Sequence, residues 1–164
     1  MPDEQRITIG MMLGRIPSGI FVLTATDGAG AETGMLCSWV QQVSFEPPMV
    51  SFVVQRDRYL NDWLATTGKA VLNMMGESEK HLLVHFGRGF KLDEPAFDGI
   101  TLQRTGTGLP VLEESLGHLE GNIVQQIPTG DHVVYVLEVT AAGLGETIHE
   151  EQPMVHIRKS GFHY

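Results

Sequence analysis

Apolar residues recur along this chain with two spacings. Between Tyr59 and Thr66, Leu60, Trp63 and Leu64 fall at i, i+3 and i+4, the stripe of an amphipathic helix, and Gly68 follows as a stop. Residues 3–14 predict another short helix, with Asp3 able to cap it, Glu4 suited to its first turn and Gly14 able to end it. Residues 78–86 predict a third, with Ser78 as N-cap and Gly87 past the end. The other apolar runs are short, β-branched and bounded by turn residues, which marks strands. They cover residues 19–26, 33–44, 49–55, 69–75, 115–127, 133–140 and 154–158.

The turns between these runs indicate the connections. Asp27-Gly28-Ala29-Gly30 joins the first two strands as a hairpin, and Pro128-Thr129-Gly130-Asp131 joins 115–127 to 133–140. Glu46-Pro47-Pro48 interrupts pairing, because proline donates no ladder hydrogen bond. Met49 to Gln55 is apolar except for Ser51, which predicts burial on both faces. Residues 91–110 are rich in turn formers. Strands outnumber helices by about two to one, without strict alternation of strand and helix. The expectation is a mainly β fold with a few packed helices, a closed or partly closed antiparallel barrel.

Length and charge narrow the picture. The 164 residues suit one domain, 1–164, with a full core. The formal charge of −9 makes nucleic acid and anionic membrane poor partners. A single Cys forms no internal disulfide, which points to a reducing cytosol and a cytoplasmic protein. No basic leader and no apolar run of spanning length is visible.

Familiar chemical motifs are absent. Gly28, Gly30 and Gly34 have the wrong spacing for a dinucleotide fingerprint and sit in a hairpin turn. His81 and His85 share a helical face but lack a third ligand, so helix surface or helix packing is the favoured reading and no metal site is expected. Cys37 reads as a small buried residue rather than a nucleophile. In the run Gly34 to Pro48, Leu36, Ser38 and Ser44 fall on one face if the strand is continuous. Small and hydroxylated residues there leave room for a flat ligand and offer hydrogen bonds.

The order of several short pieces then carries a family resemblance. They are Gly14 to Ala25, Gly34-Met-Leu-Cys-Ser-Trp39, Val43 to Pro48, Lys69 to Asn73, His85-Phe86, Phe97-Asp-Gly99, Gly130-Asp-His132 and the ending Val155 to Tyr164. From about Leu13 onward the chain resembles the flavin reductase-like, FMN-binding split-barrel family. It is most similar to the flavin reductase module of cyanobacterial-type flavodiiron proteins.

The resemblance implies a homodimeric split β-barrel binding FMN, with FAD as the alternative, and NADH or NADPH as electron donor. It implies that Met35, Leu36, Cys37, Ser38 and Trp39 line the flavin ring, largely through the main chain. Ser44 falls on the phosphate side, Arg56 pairs with the phosphate, Arg58 lies close enough to help, and Phe86 belongs to the cofactor site. His132 matches a histidine that approaches the nicotinamide. Three positions depart from the family's usual residues: Cys37 for Ala, Leu36 for Thr or Ser, and Gln55 for Asn. The implied activity is NAD(P)H-dependent flavin reduction. The alternatives are an FMN-bound electron-transfer module serving a partner protein and a non-catalytic flavin-binding protein.

Such chemistry suits a site without a catalytic triad, because the cofactors carry the reaction and the protein positions them. It also softens the charge argument. Residues 54–91 hold six basic and four acidic side chains, against five and sixteen elsewhere. That segment contains Arg56, Arg58 and Arg88, guanidinium groups suited to a phosphate.

Overall fold

A computed structural model describes residues 2–163, so Met1 and the final Tyr164 of the family-like ending lie outside the described residues. In chain order the elements are α1 (Asp3–Gly14), β1 (Ser18–Gly19), β2 (Phe21–Thr26), β3 (Glu32–Cys37), β4 (Val40–Ser44), β5 (Met49–Gln55), α2 (Leu60–Thr67), β6 (Lys69–Met74), α3 (Lys80–Gly87), β7 (Leu102–Arg104), β8 (Pro110–Leu112), β9 (Gly117–Pro128), β10 (His132–Leu144) and β11 (Val155–His156).

Seven strands form one antiparallel sheet in the order β3-β2-β6-β9-β10-β5-β4. Its two edges, β3 and β4, are consecutive in the chain and are joined only by Ser38 and Trp39. That link reaches about 11 Å at most, so the two edges come together and the twisted sheet curls into a barrel. No ladder closes it. Cys37 Sγ, 3.7 Å from the Val53 carbonyl oxygen, marks where β3 meets β5 across the seam. The result is the expected mainly β fold, a split barrel.

The same topology corrects the expectation of one strand over 33–44. Its first half pairs with β2 and its second half with β5, at opposite edges of the sheet. One continuous strand cannot do both, so it breaks at Ser38–Trp39. Ser44 is thereby separated from Leu36 and Ser38.

The barrel interior is filled by Leu23, Phe52, Val54, Leu64, Leu72 and Leu137, with Phe52 and Tyr135 stacked at 5.1 Å. The expected stripe of α2, Leu60, Trp63 and Leu64, is the buried face of that helix. A second cluster lies outside the barrel, where Ile20 and Val22 meet Leu82 and Phe86 of α3. β2 is therefore buried on both sides. β5 is not: Val50, Phe52 and Val54 are buried, while Met49, Ser51 and Val53 are half-buried. Its outer face borders the seam, which corrects the expectation of full burial.

Two helix starts also differ. Pro2 precedes α1 and no side chain caps it, so Asp3 lies inside the first turn. α3 begins at Lys80 after Glu79, and the Ser78 amide donates to the Glu151 carboxylate instead of Ser78 capping the helix. Asn73, from the Lys69–Asn73 piece, is structural. Its side chain donates to the Val22 carbonyl and accepts from the Leu112 amide, each at 2.9 Å. α1 buries only Gly10 and Gly14. Through them it holds the C-terminal segment, with Arg158 N donating to Gly14 O at 3.0 Å and Gly161 N to Gly10 O at 2.6 Å.

Candidate functional site

A cavity of about 370 Å³ opens in the seam between β3 and β5, roofed by α3. Met35, Leu36, Cys37, Ser38, Arg58, Phe86 and His132 all line it, joined by Val53, Gln55 and His156. Larger cavities of about 630 and 1170 Å³ hold none of the ten residues that the resemblance implies.

β3 is the sheet edge facing this seam. Four consecutive residues, 35–38, contribute to the wall, so the backbone runs along the cavity as well as alternate side chains. An edge strand keeps one row of N–H and C=O groups outside the ladder, free to bond a ligand. The opposite wall is aromatic. Phe86 is packed so closely on Gly34 that a Cβ there would stand 2.6 Å from the ring. Glycine at 34 is what lets the ring close over β3.

Two polar atoms at this cavity are buried without a hydrogen-bond partner among the described residues: Ser38 Oγ and His132 Nε2. Leaving such groups unpaired is costly, and native proteins pair nearly all of them. A ligand with hydrogen-bonding edges would satisfy both. Arg58 has no ion pair among the described residues and its guanidinium lies over Gly89. Gly89 has φ +71°, and a Cβ there would meet Arg58 Nη1 at 3.1 Å.

His132 opens β10 opposite Gln55 of β5. Its Nδ1 lies 2.7 Å from Asp131 Oδ1, and its ring is tilted against Trp39 at a centroid distance of 4.9 Å. Asp131 titrates below the usual carboxylate range, first because of the His132 hydrogen bond. Cys37 is buried, which pushes its thiol up to about 11 and keeps it protonated at neutral pH.

The whole of this arrangement suits a flat, partly apolar ligand with polar edges and an anionic group. The family model described as flavin reductase like domain matches residues 13–163. The chain belongs to that family. Among similar proteins, a putative diflavin flavoprotein A 3 from Nostoc sp. is 33% identical over 93% of this chain, and diflavin flavoprotein A 1 from Synechocystis sp. is 31% identical over 93%. The chain spans about a quarter of the length of these relatives, 26% in each case. Among solved structures, the NADH:FAD oxidoreductase SgcE6 of Streptomyces globisporus superposes with a TM-score of 0.83 at 22% identity, covering 98% of this chain and 92% of that one. Flavin reductase HpaC complexed with NADP+ gives 0.74 at 24% identity, covering 90% of each chain. Both likenesses are of fold.

Within the flavin reductase-like domain, seven of the ten implied residues thus converge on one cavity. The other three lie outside its lining. Trp39 lies tilted against His132 and borders an adjoining cavity of about 440 Å³, which shares Ser38 and Val53 with the first. Ser44 ends β4, beyond the break at Ser38–Trp39. Arg56 donates to the Thr129 carbonyl and is not among the residues lining the cavity. Of the paired histidines, His81 meets Glu114 at 3.1 Å and His85 Nε2 meets the Ala96 carbonyl at 2.8 Å.

One residue important to the site carried no sequence signal. Asn61 Nδ2 reaches the carbonyls of Gln55, Arg56 and Arg58 at 2.9, 3.2 and 2.9 Å. Its Oδ1 accepts from the Tyr135 hydroxyl at 2.7 Å. Asn61 fastens the turn carrying Arg58 to α2 and to the barrel core. An Asn in a helix's first turn has many uses, and only the fold shows what it reaches.

Proposed function

We propose that this domain binds FMN in the seam cavity and reduces it with NADH or NADPH. The observation that carries the reading is the meeting of Ser38 Oγ and His132 Nε2, both buried and unpartnered, with an ion-pair-free Arg58 in one cavity. Flavin bound there supplies a two-electron acceptor, and the nicotinamide supplies hydride.

Each residue then has a positional task. The main chain of 35–38 meets the polar edge of the ring, and Ser38 Oγ adds a hydrogen bond. Phe86, Leu36 and Val53 cover its apolar part and exclude water. Arg58 takes the phosphate, in the role the resemblance implies chiefly for Arg56. His132 faces the nicotinamide. A cavity near the small end of the usual ligand range favours FMN over the larger FAD. A homodimer fits the same reading, because Ile7, Met11, Met12 and Phe45 expose apolar side chains that a second copy could cover.

A second reading is favoured by the diflavin flavoprotein relatives: FMN stays bound and passes electrons to a partner protein. The test is anaerobic addition of NADH, then NADPH, to the FMN-loaded protein while visible flavin absorbance is followed. Bleaching by either supports both redox readings. Saturation kinetics with free FMN then favours the reductase, whereas retention of FMN through gel filtration without turnover of added flavin favours the electron-transfer module. No bleaching by either donor leaves a non-catalytic flavin-binding protein.

A further inference from the structure

The Pro128–Asp131 turn is tied down at several points. Thr129 N and Thr129 Oγ1 donate to the His132 carbonyl at 2.9 and 3.0 Å. Arg56 N donates to the Asp131 carbonyl at 2.9 Å, and the Arg56 guanidinium donates to Thr129 O. The turn therefore holds Asp131 beside the His132 ring. A carboxylate only accepts hydrogen bonds, so the 2.7 Å contact requires the proton on Nδ1. The other ring nitrogen, Nε2, is the buried unpartnered atom at the cavity.

We propose that Asp131 is a positioning residue that fixes the Nδ1–H tautomer of His132, so that the neutral ring offers Nε2 to the carboxamide N–H of the nicotinamide donor. This deepens the proposed function and rests on it for the identity of the donor. Arg56 contributes by clamping the turn. Trp39, tilted against the imidazole at 4.9 Å, restricts its rotation. The charged groups around the ring are Asp131 and Arg56 on the turn side, Arg58 within the cavity, and Arg158, which lies 5.2 Å from the Trp39 ring.

The test compares wild type with Asp131→Ala and Asp131→Asn in the full chain. The Asp131 side chain is 86% exposed, so neither change disturbs the core. Proton–nitrogen correlation spectra of the His132 ring should show the Nδ1–H form in wild type, and loss of its dominance in Asp131→Asn, whose amide can donate to Nδ1 as well as accept from it. They should show a mixture in Asp131→Ala. Kinetics with NADH and with its 3-acetylpyridine analogue, which lacks the carboxamide N–H, provide the second readout. Losing one hydrogen bond oriented by a charged group should narrow the preference for NADH about fivefold in Asp131→Ala, and Asp131→Asn should not restore it. An Nε2–H ring in wild type, a spectrum unchanged in Asp131→Ala, or an unaltered preference would overturn the proposal. If wild type oxidises neither NADH nor NADPH, the donor reading falls, and the ring spectra still decide whether Asp131 fixes the tautomer.

Discussion

Alanine at position 34 probes how the cavity wall is built. A Cβ on Gly34 would stand 2.6 Å from Phe86 Cε1 and 3.2 Å from Phe97 Cε1. Phe86 is 1% exposed and ringed by His85, Phe90 and Phe97 at centroid distances of 4.8, 5.9 and 6.1 Å. The cavity it lines offers the ring space to move into. Overpacking costs about 1–3 kcal/mol, and the better strand propensity of Ala returns about 0.5–1, leaving a net loss of up to about 2.5 kcal/mol. For a domain of this size that lowers Tm by up to about 10 °C. The displaced ring also occupies ligand space, so FMN affinity falls alongside. Thermal unfolding by circular dichroism reads the first effect, and flavin fluorescence titration reads the second. Phe86→Leu in the Gly34→Ala background should recover part of the Tm, because the shorter side chain removes the clash. An unchanged Tm together with unchanged FMN affinity would refute the account of the wall.

Other consequences follow from the same geometry. Arg58→Ala should weaken FMN by about 10- to 100-fold, the worth of a charged hydrogen bond, and leave riboflavin nearly untouched. Equal losses for the two ligands in calorimetric titration would place the phosphate elsewhere. Asn61→Ala abandons three carbonyls and the Tyr135 hydroxyl, so the urea midpoint should fall by the equivalent of about 1–3 kcal/mol at constant slope, and an unmoved midpoint would show the Asn61 cluster to be idle. Glu79 is 5% exposed and burial raises its pKa, so its contribution favours folding most at low pH and is lost as pH rises through the folded value. Glu79→Gln should therefore raise Tm at neutral pH, with the gain shrinking as pH falls into the carboxylate range; a gain constant with pH would contradict this.

Much of the fold was legible in the sequence because local signals agreed with tertiary demands. The limits of α1 and β5, the buried stripe of α2 and the turn before His132 all follow from periodicity and turn residues. What local reading missed depends on which strand lies beside which. Residues 33–44 look continuous, yet the barrel requires a break at Ser38–Trp39 because the two halves pair at opposite sheet edges. β5 is apolar on both faces but for Ser51 and Gln55, for two different reasons: one face fills the core and the other borders the seam. Ser78 has the right chemistry for a cap, but its amide is taken by Glu151, 73 residues away.

The candidate site was legible through the order of short motifs rather than through any catalytic constellation. Met35 to Ser38, Phe86 and His132 belong to those motifs and line one cavity, together with Arg58, which the resemblance implied as a helper. The motifs could not separate Arg56 from Arg58, two residues apart, because which one faces the cavity depends on how the turn is tied. Arg56 is drawn to Thr129, while Gly89 leaves room for Arg58. Nor could they reveal Asn61 or Asp131, whose roles are contacts with backbone carbonyls and a neighbouring ring.

Flavin bound in the seam between β3 and β5 would perturb the residues that line it. Titrating FMN into isotopically labelled protein, while the amide and histidine-ring resonances are followed, tests it most directly. Saturable shifts are expected, concentrated at Met35 to Ser38, Val53 to Arg58, Phe86 to Gly89 and the His132 ring. Shifts centred instead on the larger cavity around Glu113, His118 and Glu146, or none at all, would contradict it.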